Sequence, residues 1–211
     1  MTKTPTPLTI HIIDDDAALR RSLSFLLESV GWQTVAHACA EEFLSREAAN
    51  TDDIACLVLD IRMPRMSGLE LQQQLRTLGW TLPVVFITGH GDVELAVQAM
   101  KYGASDFLEK PFRDQALIDA VAAAVRKHCN ERTELARRET AASTLLRLSP
   151  REREVAVLVA RGLPNKSTAR ELGISEKTVH VHRAHIMAKT GLNSAAELTR
   201  LMLRADPDAL D

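Results

Sequence analysis

At 211 residues, with a formal net charge of −2 and 26% charged side chains, the chain has the make-up of a water-exposed globular protein, long enough for one large domain or two small ones. No stretch approaches the ~20 apolar residues that span a bilayer, and residues 1–7 carry no apolar signal-peptide core. The expectation is therefore a cytoplasmic protein with no membrane partner.

Three cysteines, Cys39, Cys56 and Cys129, form no CxxC pair. They read as apolar fillers in a reducing compartment rather than as metal ligands or a disulfide. Aromatics make up only 4%, so Leu, Val, Ile and Ala must build the cores. Charge is divided unevenly. Residues 8–128 hold 11 basic and 17 acidic side chains, whereas residues 144–211 hold 11 and 8. Three of those last acids, Asp206, Asp208 and Asp211, lie in a terminal tail. An acidic first half and a basic second half point to different partners, a metal ion and a polyanion.

In chain order, residues 9–13 read as a strand, followed by Asp14-Asp15-Asp16 and a helix with Leu19, Leu23, Leu26, Leu27 and Val30 at helical spacing. Gly31 stops that helix. Residues 32–38 read as a second strand and 40–48 as a short helix. Residues 56–60 form a third, apolar strand ending on Asp60. A Pro-containing turn follows, and Gly68 opens an amphipathic helix over 69–78. Residues 84–88 are a fourth strand and 92–102 a helix. Residues 106–109 are a fifth strand, then Lys110-Pro111, then a helix from about 114. Strand–helix alternation with short connections predicts an α/β fold, a five-stranded parallel sheet with helices on both faces.

The polar residues at the strand ends are Asp14, Asp15, Asp60, Thr88 and Lys110. In a parallel sheet these ends share one edge, where open α/β sheets place ligands. Three carboxylates there repel one another unless a hard cation sits between them, and Mg²⁺ suits carboxylates, backbone oxygens and water. Lys110 and the Thr88 hydroxyl could then hold an anion beside the metal. Each residue has a plainer reading, as a turn cap, a strand-end cap or a solvated lysine. Their recurrence at matching strand ends favours a site. Asp16 reads as the N-cap of the first helix.

The Asp14-Asp15 pair, Leu59-Asp60-x-Arg62-Met63-Pro64 with Ser67-Gly68, Thr88-Gly89 and Lys110-Pro111-Phe112 resemble the receiver domain of two-component response regulators over residues 8–128. The resemblance implies a flavodoxin-like fold with Asp60 as phosphoacceptor. It implies Mg²⁺ (or Mn²⁺) held by Asp15 and Asp60, by Asp14 through water and by the Arg62 carbonyl. Lys110 would pair with a phosphoryl oxygen and Thr88 would swing in to bond another. Phe107 would take the aromatic switch position. Residues 87–92, Ile-Thr-Gly-His-Gly-Asp, resemble the FixJ-like subgroup. Many receivers have Ala where Gly89 stands, so the loop that carries Thr88 is freer here.

Residues 126–147 contain no Pro or Gly, and Glu134 and Arg138 form an i,i+4 pair. Residues 129–143 read as a helical, solvated linker, with a coiled-coil contribution to dimerisation as the minor reading.

In the second half, Ser149, Pro150 and Glu152 form a capping box that starts a helix to 161. Asn165 is expected to cap a short helix to 172, Ser175 a longer one to 190, and Ser194 with Glu197 a last one. The short–turn–longer pair has helix-turn-helix proportions. Val179, His182 and Ile186 form a stripe assigned to the core. Lys177, His180, Val181 and Ala184 share another face, with Arg183 beside them. The plainer reading of that face is a solvated amphipathic helix.

Residues 148–155, 162–167 and 171–183 closely resemble the LuxR-type helix-turn-helix, and the second-half domain is taken as 144–211. The resemblance implies that the 176–190 helix enters the major groove. Lys166, Lys177, Thr178 and Arg183 would touch phosphates, and His180, Val181 and Ala184 base edges, with Val181 near a thymine methyl. Some relatives carry Lys where His180 and Ala184 stand, so base readout here is less polar.

Together the two resemblances imply a response regulator of the FixJ/NarL type. A sensor histidine kinase would phosphorylate Asp60, and the receiver would dimerise or release the DNA-binding domain. The family leans to activation, and RNA polymerase is a candidate partner. No enzymatic activity is expected beyond the receiver's own phosphotransfer and dephosphorylation. Two rival readings are disfavoured by the helix-turn-helix tail and by the intact Asp60, Thr88 and Lys110 set. One is a Mg²⁺-dependent phosphoaspartyl phosphatase using Asp14 and Asp16. The other is a DNA-binding protein whose receiver serves dimerisation without phosphorylation.

Overall fold

The computed structural model describes residues 8–47, 53–89 and 93–210, the side chain of Val93 excepted. The chain forms two compact units, Met1–Asn130 and Glu131–Asp211.

In the first unit, β1 (Thr9–Ile13), β2 (Gln33–His37), β3 (Ile54–Asp60), β4 (Val84–Thr88) and β5 (Asp106–Glu109) make one parallel sheet in the order β2-β1-β3-β4-β5. Between the strands run α1 (Ala17–Ser29), α2 (Ala40–Glu47), α3 (Gly68–Thr77) and α4 (Val93–Lys101), and α5 (Asp114–Leu146) follows β5. The two-residue strand period divides the apolar side chains between two faces. Ile10, Ile12, Cys56 and Val58 pack with Leu23 and Leu27 of α1 and Leu117 and Val121 of α5. Ile13, Leu57 and Leu59 pack with Phe43 of α2, Leu71 and Leu75 of α3 and Ala99 of α4. Every residue of β3 is buried, which is why that central strand reads as an unbroken apolar run ending in one carboxylate. The strand order reverses direction at β1 and β3, so the crevice beyond their carboxyl ends is where this architecture places a ligand.

The predicted elements hold with shifted ends. β3 begins at Ile54, two residues before its predicted start, and Asp16 caps α1 by accepting from the Ala18 and Leu19 amides. Val30, expected on the buried stripe, is the C-cap of α1 and 47% exposed, because the helix stops there before Gly31 at φ 92°. Ala48, His90, Gly91 and Asp92 lie outside the described residues. α5 runs for 33 residues without a helix breaker, and residues 129–143, read as a linker, are part of it.

In the second unit, α6 (Pro150–Ala160), α7 (Asn165–Leu172), α8 (Glu176–Thr190) and α9 (Ala195–Ala205) enclose a core of Leu148, Val155, Val159, Ala169, Val179, Ile186, Leu198 and Met202. The capping box of Ser149 and Glu152 is formed, and Ser175 accepts from the Thr178 amide. One cap differs from expectation. Pro164, not Asn165, is the N-cap of α7, and Asn165 is its first helical residue. The extended Pro164 backbone (φ −68°, ψ 159°) offers its carbonyl to the Thr168 amide, and no side chain caps this helix. His182, assigned to the core stripe, is only half-buried, while Val179 and Ile186 are fully buried.

Candidate phosphoacceptor and DNA-binding sites

Asp60 ends β3 and Asp14 directly follows β1, so neighbouring parallel strands deliver both carboxylates to one edge. They are 5% and 1% exposed. Lys110, just beyond β5, reaches across with its Nζ 2.8 Å from Asp60 Oδ1 and 3.0 Å from Asp14 Oδ2. Backbone amides hold both acids in place. The Arg62 amide donates to Asp60 Oδ2 at 3.1 Å and the Asp16 amide to Asp14 Oδ1 at 2.8 Å. The Lys110 amide donates to the Thr88 carbonyl at 2.7 Å, which fixes the lysine beside the end of β4. Thr88 is fully buried, and its hydroxyl lies 3.5 Å from the Gly89 carbonyl. Phe107 on β5 is half-buried against the α2–α3–α4 core.

Asp15 is exposed and lines an open depression of about 500 Å³ with Ile61, Arg62, Met63, Pro64, Ser67, Leu69 and Leu95. The cluster sequence reasoning assembled from Asp14, Asp15, Asp60, Thr88 and Lys110 thus falls at one sheet edge, with Asp15 on its solvent side.

Gly68 is what lets α3 start so close to Asp60. A Cβ there would collide with the Asp60 backbone carbonyl oxygen and press on Leu59 Cγ. The Gly68 amide donates to the Ile61 carbonyl at 3.0 Å, and the Ser67–Glu70 capping box begins the helix.

Electrostatically the cluster carries more negative charge than its one lysine offsets. Burial foremost pushes the Asp60 carboxyl above its ordinary value; Lys110 works against that, and Asp14 and Asp15 add to it. Burial alone would lower Lys110, but the hydrogen bonds and charges of Asp60 and Asp14 raise it, so it stays protonated. Two buried carboxylates and a third on the solvent side, beside an open depression, are a donor set that fits a hard divalent cation.

On α8, Lys177, His180, Val181 and Ala184 are exposed, while Thr178 and Arg183 are half-buried. Thr178 Oγ1 lies 2.8 Å from Ser175 Oγ at the helix start. Lys166 is exposed on α7, the helix before. All seven residues that sequence reasoning selected therefore keep solvent contact, while Val179 and Ile186 on the opposite side anchor the helix. Gly173 at φ 66° ends α7 and lets the chain turn directly into Ser175.

Sequence reasoning missed several supports. The Arg20 guanidinium donates to the Asp14 carbonyl at 2.5 Å, tying α1 to the acidic turn. Arg151 donates to the Leu172 carbonyl at the end of α7. Lys189 near the end of α8 pairs with Glu152, a residue read only as a capping acid. None leaves a local signal, because each joins residues distant in sequence or faces a backbone atom.

Residues 10–122 match the family described as response regulator receiver domain, and residues 146–202 match the luxR family of bacterial regulatory proteins. The chain is 46% identical over 201 residues to the transcriptional regulatory protein FixJ of Azorhizobium caulinodans, covering 95% of this chain and 94% of that one. It is 45% identical over 200 residues to nodulation protein W of Bradyrhizobium diazoefficiens, covering 95% and 87%. Among solved structures, that of response regulator StyR, at low resolution, aligns with TM-score 0.81 and 42% identity over 92% of this chain and 98% of that one. Full-length FixJ from B. japonicum aligns with TM-score 0.61 and 43% identity over 95% and 98%. With likeness of this degree running through both units, the chain belongs to the FixJ-type two-component response regulators, which join a receiver to a LuxR-type DNA-binding domain.

Proposed function

We propose that Asp60 accepts a phosphoryl group from a sensor histidine kinase and that its modification controls binding of the second unit to DNA. The observation that carries this reading is the bridging position of Lys110 between Asp60 and Asp14, with Thr88 at the next strand end. Mg²⁺ (or Mn²⁺) would be held by Asp15, Asp60, the Arg62 carbonyl and, through water, Asp14. When bound it supplies positive charge to the phosphoryl oxygens.

The chain's own residues supply the rest. An Asp60 carboxylate oxygen attacks phosphorus. The P–O bond forms as the donor's P–N bond breaks, and the departing imidazole takes its proton from water. Lys110, held by two carboxylates before transfer, turns its ammonium to the charge spread over the phosphoryl oxygens. The acyl phosphate adds about 1.5–2 negative charges and new acceptors at the strand end. The Thr88 hydroxyl donates to one of them, which opens room for Phe107 to rotate inward. That shift biases the α4–β5 surface toward a homodimer.

In the second unit α8 enters the major groove of double-stranded DNA. Lys166, Lys177, Thr178 and Arg183 contact phosphates, and His180, Val181 and Ala184 face base edges. A receiver dimer would place two such helices on paired half-sites. Regulation of transcription follows from that occupancy, with RNA polymerase as the downstream partner, and the receiver performs no chemistry beyond its own phosphotransfer and dephosphorylation.

The test is DNA binding by wild type and Asp60→Ala at fixed salt, with Mg²⁺, with and without a small phosphodonor. Tighter binding by phosphorylated wild type alone supports the reading. Equal binding by both proteins, indifferent to donor, overturns the link between Asp60 and DNA affinity.

A further inference from the structure

β1 and β2 run parallel with Ile13 beside His37 and His11 beside Val35. The strand period then puts His11 and His37 on the same side of the sheet, under α2. His11 Nδ1 lies 2.9 Å from His37 Nε2 and 3.8 Å from Oε1 of Glu47, the last residue of α2. The two imidazoles are 3% and 0% exposed, and the Phe43 ring meets both edge-on. One ligand atom from each of His11, His37 and Glu47 lies within 4.8 Å of the other two. Three atoms no more than 4.8 Å apart lie within about 2.8 Å of a common centre, so shifts of well under 1 Å bring them to the about 2.0–2.2 Å of Zn–N and Zn–O bonds.

The geometry points to a metal site on the receiver distinct from the Asp14, Asp15 and Asp60 cluster: His11, His37 and Glu47 bind one divalent ion of the Zn²⁺ type. Two imidazoles and a carboxylate suit Zn²⁺ and its neighbours, whereas Mg²⁺ prefers oxygen ligands alone. Burial, above all, holds both imidazoles down at about 4, so at neutral pH each ring keeps a lone pair for a metal. The Glu47 side chain is the solvent-side member at 21% exposed, which leaves the fourth position of a tetrahedral ion to water.

The plainer arrangement is a hydrogen bond between two neutral imidazoles. In that arrangement Glu47 does nothing for either ring, since 3.8 Å is too long for a hydrogen bond. A bound ion instead joins the end of α2 to β1 and β2. It also steadies the acidic turn, because the His37 carbonyl accepts from the Asp14 amide at 3.4 Å.

The experiment uses the full chain, stripped with a chelator and kept in millimolar Mg²⁺ so that the carboxylate cluster is filled. Co²⁺ is titrated in, followed by its visible absorption, and is then displaced with Zn²⁺. One equivalent of Co²⁺ is expected to give the intense bands of a four-coordinate site, and Zn²⁺ to remove them. Glu47→Gln weakens binding about tenfold or more and His11→Gln abolishes the bands, while far-UV circular dichroism and phosphorylation of Glu47→Gln match wild type. Zn²⁺ raises the melting temperature of wild type more than that of Glu47→Gln. The proposal is overturned if no such bands form, or if Glu47→Gln and His11→Gln bind Co²⁺ as wild type does. The second result would give the ion to the carboxylate cluster or to the α8 histidines.

Discussion

Lys189 Nζ, near the end of α8, lies 2.6 Å from Glu152 Oε2 in the first turn of α6. Glu152 is 4% exposed and also accepts from the Ser149 amide at 2.7 Å, so one carboxylate caps α6 and fixes α8 to it. The Lys189 hydrogen bond foremost, then the Ser149 amide, holds the Glu152 carboxyl down at about 2. A depressed carboxyl stabilises the fold fully above its unfolded value near 4.5, and that contribution disappears as pH falls toward about 2. Glu152→Gln keeps a capping acceptor and loses the charge. It is expected to destabilise the second unit by about 1 kcal/mol at neutral pH, since Lys189 is part-exposed. The difference from wild type should shrink between pH about 4.5 and about 2. Amide hydrogen exchange of α6 and α8 in the full chain, read across that range, checks it. An unchanged gap at low pH would show that the charge pair is not what stabilises the helix.

Lys110 is the one cation that touches both Asp14 and Asp60 in the described site. Its replacement by Met leaves two buried carboxylates side by side and removes the ammonium from the phosphoryl group. Phosphorylation by a small donor should fall about 100-fold, the scale seen when a transition-state donor is deleted. Mg²⁺ binding should tighten in the same variant, because its ligands lose a competing cation. For wild type, Mg²⁺ at 100 times its dissociation constant should stabilise the protein by about 2.7 kcal/mol, and Asp60→Asn should lose most of that gain. Thermal melts with and without Mg²⁺ measure both. Equal Mg²⁺ stabilisation of wild type and Asp60→Asn would place the ion elsewhere.

The strand-end residues were legible because they need only two local signals: where an apolar run stops, and which polar residue stands there. Parallel alternation then brings Asp60 and Lys110, 50 positions apart, to one edge. The continuous α5 was legible for a similar reason, since nothing in residues 126–147 breaks a helix. Cap preference points to Asn165, whereas the extended backbone of Pro164 starts the helix one residue sooner. Spacing with Val179 and Ile186 puts His182 on the core stripe, but it sits at the margin of that stripe. Glu152–Lys189 and the His11–His37–Glu47 group depend on helix packing and on strand register, neither of which a single sequence prints.

Gly68 packs where no side chain fits, because the Asp60 carbonyl oxygen and Leu59 Cγ occupy the space a Cβ would need. Gly68→Ala must push α3 away from the end of β3 or tilt the Asp60 peptide. A loss of about 1–3 kcal/mol is expected, the range for overpacking a close-packed interior. Phosphorylation should slow as well, since the Asp60 carboxylate moves with its backbone. Gly79, with open space around its Cβ position and φ 75°, is the control. Its Ala variant suffers backbone strain alone and should phosphorylate at the wild-type rate. Wild-type phosphorylation by Gly68→Ala would refute the steric argument.

The exposed residues of α7 and α8 divide by chemistry into two groups with different signatures. Lys166 and Lys177 are exposed cations and carry no sequence information. Lys166→Ala or Lys177→Ala should weaken binding to specific and unrelated DNA alike, and lower the salt slope of log affinity by about 1. Val181 is 43% exposed and apolar, suited to a thymine methyl. Val181→Ala should therefore leave the salt slope unchanged, and cut discrimination between thymine and cytosine at one position per half-site by about 1 kcal/mol. Phosphorylated full-length protein, titrated with specific and mismatched duplexes at several salt concentrations, separates the two. If Val181→Ala lowers affinity equally for every duplex, Val181 does not face a base, and α8 lies in the groove with another of its sides turned inward.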